Sequence, residues 1–331
     1  MDSRGFLLVT ILFVGLMGWL IFFQNPGAQT ASTSAMSPKT EDGPALATPA
    51  TVAVETKAAE EAPAATRQIT VTTPNYVAVF DERGGRLASF TLTGYTKRKV
   101  NPELPDQKME LVAQPKREDW SMRLSLNDEN APKLENAPFS ADRESLTLGP
   151  GESGQLTMTY KDPGGLTVAR RLTFSGDTFL VNQQITLENS GADYLTGGDN
   201  STPLYLTMRL NAAPFTGQAG RYSEMGAYIN NRLVTDKAGD AADGLLAFRG
   251  KLTRVDWIGY MDQYFLTALV TPDQSENPAA TPPALMAVLQ DHGGLAVGAS
   301  RPVDLAPGKR AVYDFDFYYG PKSNHDLKAA G

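Results

Sequence analysis

The chain has 331 residues, with 30 Lys+Arg against 37 Asp+Glu for a formal charge of −7, two histidines and no cysteine. The missing thiols exclude a disulfide framework, a thiolate metal site and a cysteine nucleophile, and the lack of a basic excess argues against nucleic acid as a partner. His292 and His325 stand far apart in the sequence, which removes most zinc sites and most imidazole acid–base chemistry.

From Phe6 to Phe23 the sequence FLLVTILFVGLMGWLIFF carries no charge. As a helix it rises about 27 Å, close to the roughly 30 Å of a bilayer's hydrocarbon core. A buried core helix is the alternative, but Trp19, Phe22 and Phe23 near one end, with polar residues beyond, suit a lipid interface better. Gln24, Asn25 and Pro26 offer no small-residue cleavage pattern, so residues 1–23 read as an uncleaved anchor in the lipid bilayer. Arg4 lies on the short side, and the far side has no charge until Lys39, which orients the N-terminus toward the cytoplasm. Residues 24–66 contain no aromatic residue and are dominated by Ala, Thr, Ser and Pro. Such a stretch buries too little apolar surface to offset its ordering entropy. It is expected to be a disordered linker with a reach of roughly 35 Å.

After Arg67 short alternating segments take over. Leu156, Met158 and Tyr160 share one face of a strand, Asp162–Gly165 (DPGG) turns the chain, and Leu166, Val168, Leu172 and Phe174 share the next face, with Arg170 as the exception. That is a hairpin pattern. Phe179, Val181, Ile185 and Leu187 recur at period two, as do Leu204, Leu206, Met208 and Leu210, and then Tyr313, Phe315, Phe317 and Tyr319. Strands with one apolar face each must stack or close to bury it, so an all-β domain, a large antiparallel sandwich over residues 67–320, is expected. PKSNHDLKAA, within 321–331, suggests a short terminal helix.

No residue pattern in this domain identifies a catalytic, cofactor-binding or metal site. The pairs Gly84-Gly85, Gly164-Gly165, Gly197-Gly198 and Gly293-Gly294 fit no phosphate-loop spacing and read as turns. Asp314 and Asp316, two apart on a strand, could share a cation or divide acid and base roles, but a solvated face opposite Tyr313, Phe315 and Phe317 is the simpler reading. His292 lies in a DHGG turn and Ser153 lacks the spacing of a nucleophile elbow. Lys97, Arg98 and Lys99 read as a solvated loop, with lipid head groups as the alternative contact.

Four segments carry a resemblance. The opening MDSRGFLLVTILFVGLMGWLIFF resembles that of the bacterial YidC membrane protein insertases. Tyr76–Tyr95, YVAVFDERGGRLASFTLTGY, is similar to the first periplasmic hairpin of that family, with its Gly-Gly turn. Trp257–Val270, WIGYMDQYFLTALV, is similar to its W-x-x-x-x-Q-Y-F-x-T-A segment, and Phe317–Lys322, FYYGPK, to its closing strand. The order also agrees. In the third segment Trp257, Tyr264 and Phe265 are expected in the core rather than on a binding face.

The resemblance implies a non-enzymatic function: inserting and folding inner-membrane proteins, alone or with the Sec translocon. It implies an inner-membrane location with the N-terminus cytoplasmic, and a periplasmic β-supersandwich similar to galactose mutarotase. Nascent membrane proteins and the Sec translocon with its associated subunits are the implied partners. In that family the insertase activity resides in a later five-helix core with a groove arginine. No second comparable apolar span occurs here, so the chain reads as the N-terminal part of an insertase, with the terminal helix leading toward that core. The alternative is a membrane-anchored carbohydrate-binding or mutarotase-like sandwich, for which His292 is the one histidine inside the domain.

Overall fold

A computed structural model describes residues 66–329, except 98–102, 104, 113–119, 129, 196–202, 213, 216–221, 238–246, 250–254, 272–284 and 292–293. The chain divides into Met1–Glu60 and Glu61–Gly331, and every described residue belongs to the second unit. The anchor expected at 1–23, all but the last residue of the linker expected at 24–66, Gly197-Gly198 and His292 lie outside the described residues. Among the described residues no helix is long and apolar enough to cross a membrane.

The described chain is mostly β. In chain order its strands are β1 (Gln68–Thr72), β2 (Tyr76–Asp81), β3 (Arg86–Thr96), β4 (Lys108–Glu110), β5 (Arg123–Leu126), β6 (Ser140–Ala141) and β7 (Ser145–Thr147). Then come β8 (Ser153–Lys161), β9 (Leu166–Ser175), β10 (Leu180–Asn189), β11 (Leu204–Asn211), β12 (Glu224–Ile229) and β13 (Arg232–Lys237). The last are β14 (Ala247–Arg249), β15 (Val255–Met261), β16 (Phe265–Val270), β17 (Leu285–Asp291), β18 (Gly294–Val303) and β19 (Arg310–Pro321), followed by helix α1 (Asn324–Ala329). Ser323 caps α1: its hydroxyl accepts from the Asp326 backbone N–H at 3.1 Å and donates to the Asp326 carboxylate.

Three sheets result. The largest has nine strands in the order β13-β12-β15-β16-β19-β10-β9-β8-β6. Two five-stranded sheets, β4-β3-β2-β1-β7 and β14-β17-β18-β11-β5, accompany it. All the strand pairs are antiparallel except β1 with β7. The two expected hairpins form: β8 pairs with β9 across the Asp162–Gly165 turn and β2 with β3 across Gly84-Gly85. The Trp257–Val270 segment folds as a further hairpin, β15 with β16.

The period-two pattern explains the core. On the inner face of the large sheet Leu156, Met158, Val168, Leu172, Val181, Ile185, Leu187, Phe315, Phe317 and Tyr319 are buried. Phe90 of β3 stacks on Tyr319 with ring centroids 4.8 Å apart, and Phe80 of β2 meets Phe174 of β9 edge-on at 5.8 Å. These contacts seat the β1–β4 sheet on the β9-β10-β19 region. The other five-stranded sheet reaches the large sheet through β17 and β18, which lie against β15 and β16. A continuous apolar cluster joins all three sheets.

Candidate functional site

Two polar arrangements stand out in the large sheet, one on each face. On the inner face lies Arg170, the residue that broke the alternation of β9; it is fully buried. Its Nη1 donates to the carbonyl of Gly84 at 2.6 Å and its Nη2 to that of Met122 at 2.9 Å. The Gln183 carboxamide, with its oxygen turned to the donors, accepts from Nε at 2.7 Å and Nη2 at 3.0 Å. The guanidinium carbon also lies 5.9 Å from the Phe139 ring centroid. Gly84 and Met122 both have left-handed backbone, at φ 74° and 57°, a conformation that is costly for methionine. Burial, with Arg86 nearby, pushes the guanidinium down to about 9, so it stays charged at neutral pH. Gly85 is also left-handed, and a Cβ there would sit 2.9 Å from Arg170 Nη1. The Gly84-Gly85 turn is therefore the seat of a buried cation.

On the outer face one row of side chains crosses eight strands. The registers align Leu233, Tyr228, Trp257, Val270, Asp316, Asn182, Thr173 and Gln155 from β13 to β8. All are half-buried or exposed. Half of the row is apolar and half is polar, and the change falls between Val270 and Asp316. Trp257 packs on the core cluster, with its ring over Gly226, where a Cβ would meet it at 3.3 Å.

The two aspartates of β19 are tied across the sheet. Asp314 lies opposite Gln184, whose Nε2 donates to it at 3.2 Å, and Asp316 lies opposite Asn182, which also donates to it. Burial raises the Asp316 carboxyl to about 6, with the Asn182 bond and Arg301 opposing and Asp314 adding to the rise. Arg301, buried on β18, donates Nη2 to the Asp314 carbonyl at 2.7 Å, and its guanidinium carbon lies 5.5 Å from the Phe315 ring centroid. Burial lowers it to about 10, against the pull of Asp314 and Asp316. The expectation of a freely solvated face is thus corrected: both carboxylates are half-buried members of cross-strand pairs. Among the described residues no group of three or more His, Cys, Asp or Glu side chains is placed to hold a metal ion.

The remaining sequence candidates are scattered. Ser153 is exposed at the start of β8, opposite Ser175. Lys97 follows β3, with its backbone N–H on Gln107 O at 2.7 Å, while Arg98 and Lys99 lie outside the described residues. Of the aromatic trio, Phe265 is buried and Trp257 half-buried, but Tyr264 is 63% exposed, which corrects its expected core position. The Asp262 carboxylate accepts from the N–H groups of Tyr264 and Phe265 at 2.8 and 2.7 Å, so a tight turn carries Tyr264 outward. A small cavity of about 130 Å³, lined by Asp162, Leu166, Asn189 and Tyr194 among others, lies beside the β8–β9 turn. None of these features joins another to form a catalytic constellation.

Comparison with known proteins places this geometry. The model of the YidC periplasmic domain matches residues 68–331. The membrane protein insertase YidC of Pelobacter propionicus is 31% identical over 271 residues, covering 80% of this chain and 46% of that protein. That of Geotalea daltonii is 28% identical over 339 residues, covering 100% of this chain and 59% of that protein. The chain spans about half the length of the curated relatives it matches. Among solved structures, a galactose mutarotase related enzyme from Lactobacillus acidophilus aligns with a TM-score of 0.48 at 12% identity, covering 78% of this chain and 98% of that one. With its Gly-Gly hairpin, its closing strand β19 and a family match running from β1 to the last residue, this chain belongs to the YidC periplasmic domain family.

Proposed function

We propose that this chain serves as a non-enzymatic part of a membrane protein insertase, holding a β domain on the periplasmic side of the bacterial inner membrane. The observation that carries this reading is the family match over residues 68–331. Residues 1–23 supply the anchor, with the N-terminus in the cytoplasm, and residues 24–66 the flexible link. Residues 67–320 form a β-supersandwich of the galactose-mutarotase kind. Residues 321–331 lead from it toward the membrane.

Insertion needs no covalent chemistry. Its barrier is the cost of bringing polar backbone and charge into hydrocarbon. A domain at the membrane's outer surface contributes by holding emerging segments and by contacting partners, here membrane proteins in transit and the Sec translocon with its associated subunits. The half-apolar, half-polar row on the large sheet supports a binding role rather than a catalytic one, because its one carboxylate, Asp316, is already paired with Asn182.

A photocrosslinking amino acid placed at Trp257, Asn182 or Gln155 in cells that are inserting a radiolabelled membrane protein tests this reading. Crosslinks to the precursor or to Sec subunits, lost once insertion is complete, are expected. Protease added to spheroplasts should digest the domain without lysis. A domain protected until the inner membrane is broken, or one that crosslinks to neither, overturns the proposal. The carbohydrate-active alternative predicts catalysed sugar anomerisation by the purified chain, and none is expected.

A further inference from the structure

Strand β13 ends the large sheet, and among the described residues no strand pairs with its outer side. It follows β12 through Asn230-Asn231, both at positive φ (47° and 65°), a two-residue turn with the right hand for a tight hairpin. The register pairs Ile229 with Arg232 next to the turn. In such a hairpin that pair exchanges hydrogen bonds, and the bonding alternates from there. Arg232, Val234 and Asp236 therefore turn their backbone groups toward β12. Leu233 and Thr235 turn theirs outward. An edge of this kind is normally blunted by lysine, proline or a bulge in mid-strand. Here the middle reads Leu-Val-Thr, with Leu233 55% and Val234 39% exposed.

The outward parity limits what can be added. A second β13 related by a two-fold axis at Val234 sets Leu233 opposite Thr235 of the other copy, twice, as hydrogen-bonded pairs. It sets Val234 against Val234 as the close, non-bonded pair. In the same register Arg232 faces Asp236, again twice and on the same side of the sheet as Val234. The three favourable relations, bonding parity, apolar centre and opposite charges, coincide in this one antiparallel register. We propose that β13 is a homodimerisation edge, through which two copies of this chain join their large sheets around a two-fold axis at Val234. A six-residue edge is a small interface. Association is accordingly weak in dilute solution and favoured where copies are concentrated.

The absence of cysteine makes the test direct. In membranes from cells expressing the full chain, Val234→Cys places two thiols at the axis, within the Cα separation that a disulfide needs. Leu233→Cys, one residue away, points to the other face and sits opposite Thr235. Mild oxidation is expected to give about tenfold more disulfide dimer with Val234→Cys than with Leu233→Cys. Adding Asp236→Arg to Val234→Cys should lower the yield several-fold, and adding Arg232→Asp to that variant should restore it. Equal yields at 233 and 234, failure of the charge exchange to restore crosslinking, or a 234 product formed with a different protein would each overturn the proposal. Circular dichroism of each variant verifies that the fold is retained, so a loss of crosslinking is read as a loss of pairing.

Discussion

Gly84 and Gly151 adopt nearly the same left-handed backbone, at φ 74° and 73°, but their surroundings differ. A Cβ on Gly84 would lie 2.3 Å from the carbonyl oxygen of Glu135, whereas one on Gly151 would have nothing within 4 Å. Gly151→Ala should therefore show the conformational penalty alone, about 1 kcal/mol. Gly84→Ala should cost about 2–4 kcal/mol, because backbone must move and the carbonyl that holds Arg170 moves with it. Urea unfolding followed by tryptophan fluorescence separates the two.

Asp316 makes a pH-dependent prediction. Its carboxyl is raised from 3.8 to about 6 in the fold, so the folded state holds the proton more tightly than the unfolded chain does. The stabilisation from this group is complete below about pH 4 and is lost as pH rises through about 6. At neutral pH the half-buried carboxylate is a liability. Asp316→Asn should stabilise the protein by about 1–2 kcal/mol at pH 8, after allowance for its partial exposure, with the gain fading near pH 4. A gain that is the same at both pH values would show that burial is not what raises this group.

Among elements, the β15–β16 hairpin shows how a turn sorts neighbouring aromatics. Phe265 is 6% exposed and lies edge-on to Phe215 at 6.3 Å and Tyr95 at 5.4 Å, while Tyr264 stands in solvent. The loop is fixed by Asp262 and by Lys322, which donates its backbone N–H to Tyr264 O at 2.7 Å and Nζ to Asp262 O at 2.9 Å. Phe265→Ala should destabilise by about 3–5 kcal/mol, and Tyr264→Ala by less than about 0.5 kcal/mol. Thermal melts of the two variants provide the comparison.

At the scale of the whole β unit, Arg170 is a single contact shared by three sheets. It stands on β9 of the large sheet, bonds the β2–β3 turn of one small sheet through Gly84, and bonds Met122, next to β5 of the other. Removing it strands those acceptors and leaves a cavity. Arg170→Ala is therefore expected to cost about 3–5 kcal/mol, and Arg170→Lys nearly as much, because one ammonium cannot span the same acceptors. Denaturant unfolding checks the loss. Hydrogen exchange should show protection falling together in β2, β5 and β9, whereas a loss confined to β9 would show that the contact does not couple the sheets.

Period two in the sequence marks out β8 to β11 and β19, because burying one face of a strand forces apolar residues into that spacing, and the β8–β9 hairpin is legible because the Asp162–Gly165 turn depends on local chemistry. The same local logic located α1 and the Gly-Gly turn. The meaning of the exceptions comes from strand pairing. Arg170 and Gln183 interrupt two apolar faces as if misplaced, and they become intelligible only when β9 and β10 pair and bring them together. Likewise, the half-burial of Asp314 and Asp316, the exposure of Tyr264 and the edge position of β13 among the described strands depend on which strands lie side by side. Pairing joins residues far apart along the chain, and a local pattern that reveals which face of a strand is buried carries no record of its neighbour.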